Sequence, residues 1–557
     1  MVGTALVKGT LGRLRRFWTQ ETGALVIFAM MLAVLMLMMG GIAVDVMRYE
    51  SRRTALQNTL DRSTLAAASL TQRRDPELVV NDYFLKAGLA QYLTSVTVTE
   101  TLNSRTVTAE AKADTQPMFL PMLGIDDFQA PGLSTAEQRI GDIEIILVLD
   151  VSGSMQGTKL ANLKTAATDF VDTVTEGDDE HHISIGIVPY NAQVNLGPVL
   201  REKFQAVNLH GVPNVDCLEL PDSVFGQTLM PRDLDLQMMA YADVASSTWK
   251  GDGYIQTTDT GYATAKFDSA SCKQNTDNIV RLPSDNAGAL KGFINGLDAA
   301  GNTSIVLGLR WGAALLDPDL RSTFTDLIGT GDIPATLPDR PLDYEADVMK
   351  IIVLMTDGEH VAHERIKDGY KTGPSPIFRS NGDGRLSIRH TSGRPTLAGA
   401  NEYWVPHLDA DGTTTAAAWT TAPWDSGAGV TQLQWQDIWA SQRFDYVAWQ
   451  LYARALGGDS ASLRSSTFTA ITNTITGNWK TATEMDTRLQ TACAAARAQK
   501  VIIYGIAFQA GTVGQTQIRN CSTDGVAGSH YFNATTLNIG SAFDAIASNI
   551  NQLRLTQ

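Results

Sequence analysis

The chain has 557 residues, 44% of them hydrophobic, and 44 basic against 59 acidic residues give a net charge of -15. That length accommodates more than one domain and a sizeable core. The acidity argues against nucleic acid as a partner, because binding a phosphate backbone needs a basic face, and it suits a cation site. Four cysteines, none in a C-x-x-C pair, argue against a thiolate zinc site.

Residues 1–22 carry Lys8, Arg13, Arg15 and Arg16 with no acid before Glu21, and read as a cytoplasmic basic tail. From Gly23 to Val44 no residue is charged. At a rise of about 1.5 Å per residue such a helix spans a hydrocarbon core of about 30 Å, so 23–44 is expected to be transmembrane. Asp45-Val46-Met47-Arg48 follows directly, without the small-residue cleavage site of a signal peptide, so the segment is expected to be retained. The basic tail favours a cytoplasmic N-terminus and export of everything after Asp45.

Residues 45–131 read as a stalk. No Gly or Pro interrupts 45–72, so the helix is expected to continue out of the bilayer. Ser95–Glu100 and Arg105–Glu110 alternate around Leu102-Asn103-Ser104 and predict a β-hairpin. A long hydrophobic helix followed by a small sheet has a pilin-like α+β outline. Residues 132–141 read as a linker, and 142–557 as one domain with insertions at about 200–282 and 359–485.

Within that domain Ile145, Ile146, Leu147, Val148 and Leu149 form an unbroken apolar run, as expected of a parallel strand buried on both faces. Asp150, Ser152 and Ser154 then alternate across a turn, and Lys159–Val174 has helical spacing. Three hard oxygen donors thus stand beyond the carboxyl end of a strand, where open α/β sheets bind ligands. Such donors suit Mg²⁺ best, with Mn²⁺ or Ca²⁺ as alternatives. Ile183–Val188 and Val348–Met355 are further strands, the second closing on Thr356-Asp357-Gly358, and Thr303 lies in a Gly-led loop before the helix Ile305–Leu316. Taken alone, that loop reads better as an ordinary helix cap by Asn302 or Thr303.

The 359–485 insertion holds seven tryptophans. Trp435, Trp439, Tyr446 and Trp449 share one face of a helix expected over Gln432–Leu456, as core or as a carbohydrate platform. Asn381-Gly382-Asp383-Gly384 and Asp409-Ala410-Asp411-Gly412 read as turns, while His360 and His363 lack the Glu of a zinc motif. Helix Asp486–Gln499, strand Val501–Phe508, a short strand at Tyr531-Phe532 and helix Ser541–Leu553 complete the alternation of a doubly wound, mostly parallel α/β sheet. Four cysteines allow three pairings. Sequence proximity favours Cys217 with Cys272 and Cys493 with Cys521.

Asp150-x-Ser152-x-Ser154, Thr303 in Gly301-Asn302-Thr303 and Thr356-Asp357-Gly358 resemble the metal-ion-dependent adhesion site of von Willebrand factor type A domains. That resemblance implies a divalent cation held by Asp150, Ser152, Ser154, Thr303 and Asp357, with a partner protein's carboxylate completing the shell. Gly23–Asp45, Arg53, Leu56-Gln57, Asp61 and Leu65-Ala66-Ala67-Ala68 resemble the TadE/TadG-type segment of Flp (tight-adherence) pilus assembly proteins, although Phe28 stands where processed prepilins carry Glu. The combination is similar to TadG-like proteins and implies a non-enzymatic binding protein of pilus assembly. It would be single-pass in a bacterial inner membrane with its C-terminal domain periplasmic. The alternative is a surface adhesin that binds host or environmental ligands through the cation site and the Trp-rich insertion. No Gly-x-x-x-x-Gly-Lys phosphate loop occurs, and Asp-Val-Ser-Gly-Ser is a poor nucleophile elbow, so an enzyme is not expected.

Overall fold

The computed structural model describes residues 23–556 except 70–71, 73, 101–103, 140, 179–180, 245–249, 258–269, 275, 345–347, 414, 426 and 536–537. The basic tail and the Leu102-Asn103 turn expected from the sequence lie outside the described residues. The chain divides into two units, Met1–Ile140 with Leu555–Gln557, and Gly141–Arg554.

In the first unit, helix α1 (Gly23–Ala68) runs unbroken, and among the described residues it is the one helix long and apolar enough to cross a membrane. Helix α2 (Pro76–Lys86) follows, capped by Asp75, whose carboxylate accepts the Glu77 N–H at 2.9 Å. Strands β1 (Leu93–Glu100), β2 (Ser104–Thr115) and β3 (Phe128–Arg139) form an antiparallel sheet in that order. Leu56 and Leu60 of α1, Phe84 of α2 and Val107, Ala109 and Ala130 of the sheet close its core.

The expected linker at 132–141 is corrected here, because most of it belongs to β3. Pro131 lies on an edge strand, where a missing N–H is tolerated. A Cβ at Gly132 would stand 2.7 Å from Leu60, so glycine lets α1 pack against the strand.

The second unit is built on six strands, β4 (Asp142–Asp150), β5 (Ile183–Tyr190), β6 (Arg281–Ser284), β7 (Val348–Thr356), β8 (Ile502–Phe508) and β9 (Tyr531–Ala534). Their order is β9-β8-β7-β4-β5-β6, all neighbours parallel except the antiparallel pair β5 and β6. Alternation decides which face each side chain serves. Ile143, Ile145, Leu147 and Leu149 pack under helices α3 (Thr158–Thr175), α4 (Ala287–Gly296) and the C-terminal helix Gly540–Thr556. Ile146 and Val148 face the other layer, formed by α5 (Ile305–Leu315), α6 (Ala482–Ala498) and α7 (Thr512–Cys521). The chain winds from β4 towards β5 on one side and from β7 towards β8 on the other, so the switch point of this doubly wound sheet lies between β4 and β7.

Both disulfides pair by proximity, Cys217 with Cys272 and Cys493 with Cys521. The second insertion carries a five-stranded sheet, and Ala240, Ala242 and Val244 of the first insertion enter its core. The helix expected over Gln432–Leu456 is corrected to pieces. Val430–Gln434 is a strand, Trp435–Ser441 a helix, and the chain turns extended at Gln442 before a π-helix at Val447–Ala453. Trp435 stacks on Trp439 at 5.4 Å, and both are buried with Trp404, Trp419 and Trp449. The aromatic face is core.

Candidate metal centre

Asp150 ends β4 and Asp357 follows β7, placing two carboxylates side by side at the switch point. Asp150 is fully buried. Its Oδ1 accepts the Ser152 N–H at 2.8 Å and its Oδ2 accepts the Thr356 hydroxyl at 2.8 Å. Burial, then the charge of Asp357, pushes its carboxyl up to about 6, against the pull of the Ser152 and Thr356 hydrogen bonds. Ser152 and Ser154 hydroxyls are 3.1 Å apart, and Ser154 donates to Asp357 Oδ1 at 2.7 Å. Of the five expected residues only Ser154 is exposed, so the cluster opens to solvent there.

The Thr303 loop is drawn onto this turn by its backbone. Gly153 N–H donates to Gly301 O at 2.9 Å and Ala300 N–H to Val151 O at 2.8 Å. Asn191, just past β5, accepts the Ser304 N–H at 2.7 Å and donates to Ala300 O at 2.9 Å. Thr303 is 4% exposed, and its carbonyl accepts the Val361 N–H at 2.9 Å, so the second insertion leaves the sheet beside it. The capping reading of this loop does not hold. Ser304 is the N-cap without a side-chain bond, and Asn302 instead donates to Ala362 O at 3.0 Å.

The open N-terminus of α5 is served by His360. Its Nε2 accepts the Val306 N–H at 3.0 Å and its Nδ1 meets Asp486 at 2.7 Å. Burial holds this imidazole below its ordinary pKa, although Asp486 pulls the other way. A neutral ring donating at Nδ1 satisfies both contacts. His363 meets Gln193 at 2.9 Å and stacks on Trp479, so both histidines have structural work. The Asp383 and Asp411 loops are turns, their carboxylates accepting the Arg385 and Thr413 N–H groups at 3.0 Å.

Two participants were missed by sequence reasoning. Thr356 holds Asp150. Lys159, in the first turn of α3, places Nζ 2.7 Å from Asp357 Oδ2. Two buried carboxylates against one ammonium leave net negative charge, and the Ser154 hydroxyl stands on the exposed side. Donors of this kind fit a hard divalent cation.

The family model for putative Flp pilus-assembly TadE/G-like proteins matches residues 23–70. The chain carries a TadE/G-like segment. No curated protein matches the chain. Among solved structures it is similar to the pilus adhesin SpaC from Lactobacillus rhamnosus GG, at 12% identity and TM-score 0.27 over 83% of this chain and 33% of that one. It is also similar to the von Willebrand factor domain of the type V pili tip protein Mfa5 from Porphyromonas gingivalis, at 12% and 0.28 over 74% and 97%. The adhesive tip pilin GBS104 from group B Streptococcus agalactiae gives 13% and 0.28 over 74% and 100%. The chain thus spans about a third of SpaC, and similarity at this level supports no functional transfer. The TadE/G-like segment covers α1 and the two residues after it, and ends before α2.

Proposed function

We propose that this protein is a membrane-anchored, non-enzymatic binding protein in which Asp150, Ser152, Ser154, Thr303 and Asp357 hold a divalent cation, Mg²⁺ by preference. Its role is capture of a partner carboxylate during assembly or anchoring of a Flp pilus. Once bound, the cation would present an open coordination position to that carboxylate. The observation that carries the reading is the convergence of Asp150, Ser152, Ser154 and Asp357 at the switch point, two buried acids beside a pair of hydroxyls of which Ser154 reaches solvent.

The TadE/G-like segment supports the pilus setting, and α1 the anchor. The N-terminus would be cytoplasmic and the sheet domain periplasmic, a compartment in which disulfides persist. Burial of Trp404, Trp419, Trp435, Trp439 and Trp449 favours the assembly reading over an adhesin with an aromatic glycan platform.

Capture of pilus components from a cell-envelope extract by the detergent-solubilised full chain tests this reading. Wild type should capture them in Mg²⁺ and release them in chelator, and Asp150→Ala should capture none while keeping its fold. Equal capture by the variant contradicts it.

A further inference from the structure

The loop joining β2 to β3 has no charge from Thr115 to Ile125, and all its large apolar side chains except Leu120 are exposed. Met118 is 68% exposed, Met122 69%, Leu123 54% and Ile125 41%. A cluster of this kind calls for a covering partner.

Six of the loop's N–H groups, by contrast, are bonded within the unit. Asp45 Oδ1 accepts the Met118 N–H at 3.0 Å, and Asp45 Oδ2 accepts those of Phe119 and Leu120 at 2.6 and 3.0 Å. The N–H groups of Met122, Gly124 and Ile125 donate to Phe119, Pro121 and Leu120 carbonyls, and Pro117 and Pro121 have none to satisfy. Bonded N–H groups beneath outward-turned apolar side chains suit a loop that meets lipid at its edge.

Its position along α1 names the covering partner. Asp45 is the first charge after the uncharged run, and the Phe119 ring lies further back, against Gly41. A Cβ at Gly41 would stand 2.5 Å from that ring, so glycine makes the seat. Four residues of helix place Phe119 about 6 Å inside the Asp45 boundary. The run Gly23–Val44 is just long enough for a core of about 30 Å, so the ring lies at the depth of the acyl chains near the headgroups.

We infer that residues 116–125 form a second membrane contact, a loop clasped by Asp45 that dips Met118, Met122, Leu123 and Ile125 into the leaflet on the side of the sheet, with Asp126 and Asp127 at its aqueous edge. This rests on the proposed reading of α1 as a membrane span. The contact would hold the three-stranded sheet against the bilayer surface, in the way interfacial apolar faces do.

Depth-dependent quenching in proteoliposomes of the full chain tests it. All four native cysteines are paired, so Met122→Cys and Leu32→Cys each offer a single thiol for an environment-sensitive fluorophore. Both native side chains are exposed, so labelling spares the packing. The expected result is loss of fluorescence at position 122 with lipid spin-labelled high on its acyl chain, and at position 32 with lipid labelled deep. Quenching at 32 with none at 122 overturns the loop contact and leaves the anchor standing. No quenching at 32 overturns the anchor, and the loop contact with it.

Discussion

Ser154 Oγ donates to Asp357 Oδ1 at 2.7 Å across 203 residues of sequence. That bond ties the turn after β4 to the end of β7, and its two oxygens are among the donors proposed to hold the cation. The same carboxylate is shared between Ser154 and Lys159, so a cation held there would compete with both contacts.

Replacing Asp150 should therefore have opposite effects with and without the ion. In chelator, Asp150→Asn removes the cost of a buried, repelled carboxylate, up to about 3 kcal/mol for a group raised from 3.8 to about 6. Thermal unfolding should show the variant more stable than wild type in chelator and unresponsive to Mg²⁺. A variant less stable in both conditions contradicts this.

The pH dependence has a defined sign. The folded pKa of Asp150 lies above its ordinary value of 3.8, so the unfolded chain releases that proton first. In chelator this group lowers stability progressively as pH rises from about 4 to about 6, and the loss is complete above that window. In Mg²⁺, protons compete with the ion. The stabilisation that Mg²⁺ confers should fade as pH falls below about 6, and unfolding curves recorded with and without the ion across this range read it directly.

Lys159 competes for the same carboxylate oxygen. Lys159→Met should raise Mg²⁺ affinity about fivefold by calorimetry, since a partly exposed ion pair contributes roughly 1 kcal/mol. Unchanged or weaker affinity would instead mean that Lys159 positions Asp357 for binding.

The Cys493–Cys521 bridge joins α6 to the end of α7 and closes a loop of 28 residues. The Cys493→Ala/Cys521→Ala variant should lose about 3.5 kcal/mol of stability by the chain-entropy relation. Its Mg²⁺ affinity should persist, because no proposed ligand sits on either helix. Denaturant unfolding and calorimetry on the same sample separate the two effects.

The sheet was legible because Ile145–Leu149 and Ile351–Met355 are apolar without alternation, which only strands buried on both faces sustain. Asp150, Ser152 and Ser154 were legible as one local turn. Thr303 and Asp357 needed the resemblance, since nothing local distinguishes Thr303 from a cap. Lys159 escaped because its partner is 198 residues away and any lysine in a first helical turn looks solvated. Strand β3 escaped because Pro131 and Gly132 are loop formers whose tolerance depends on an edge position and on Leu60, both set by tertiary packing. The break at Gln442 follows from the fold of the insertion around Trp439, which donates to Tyr370 O at 2.6 Å, and helical periodicity carries no trace of it.

Calorimetric titration of Mg²⁺ into the chelator-stripped full chain, beside Asp150→Asn, tests the central claim most directly. One saturable site in wild type and none in the variant is the predicted result. No binding by wild type, or equal binding by both, would contradict it.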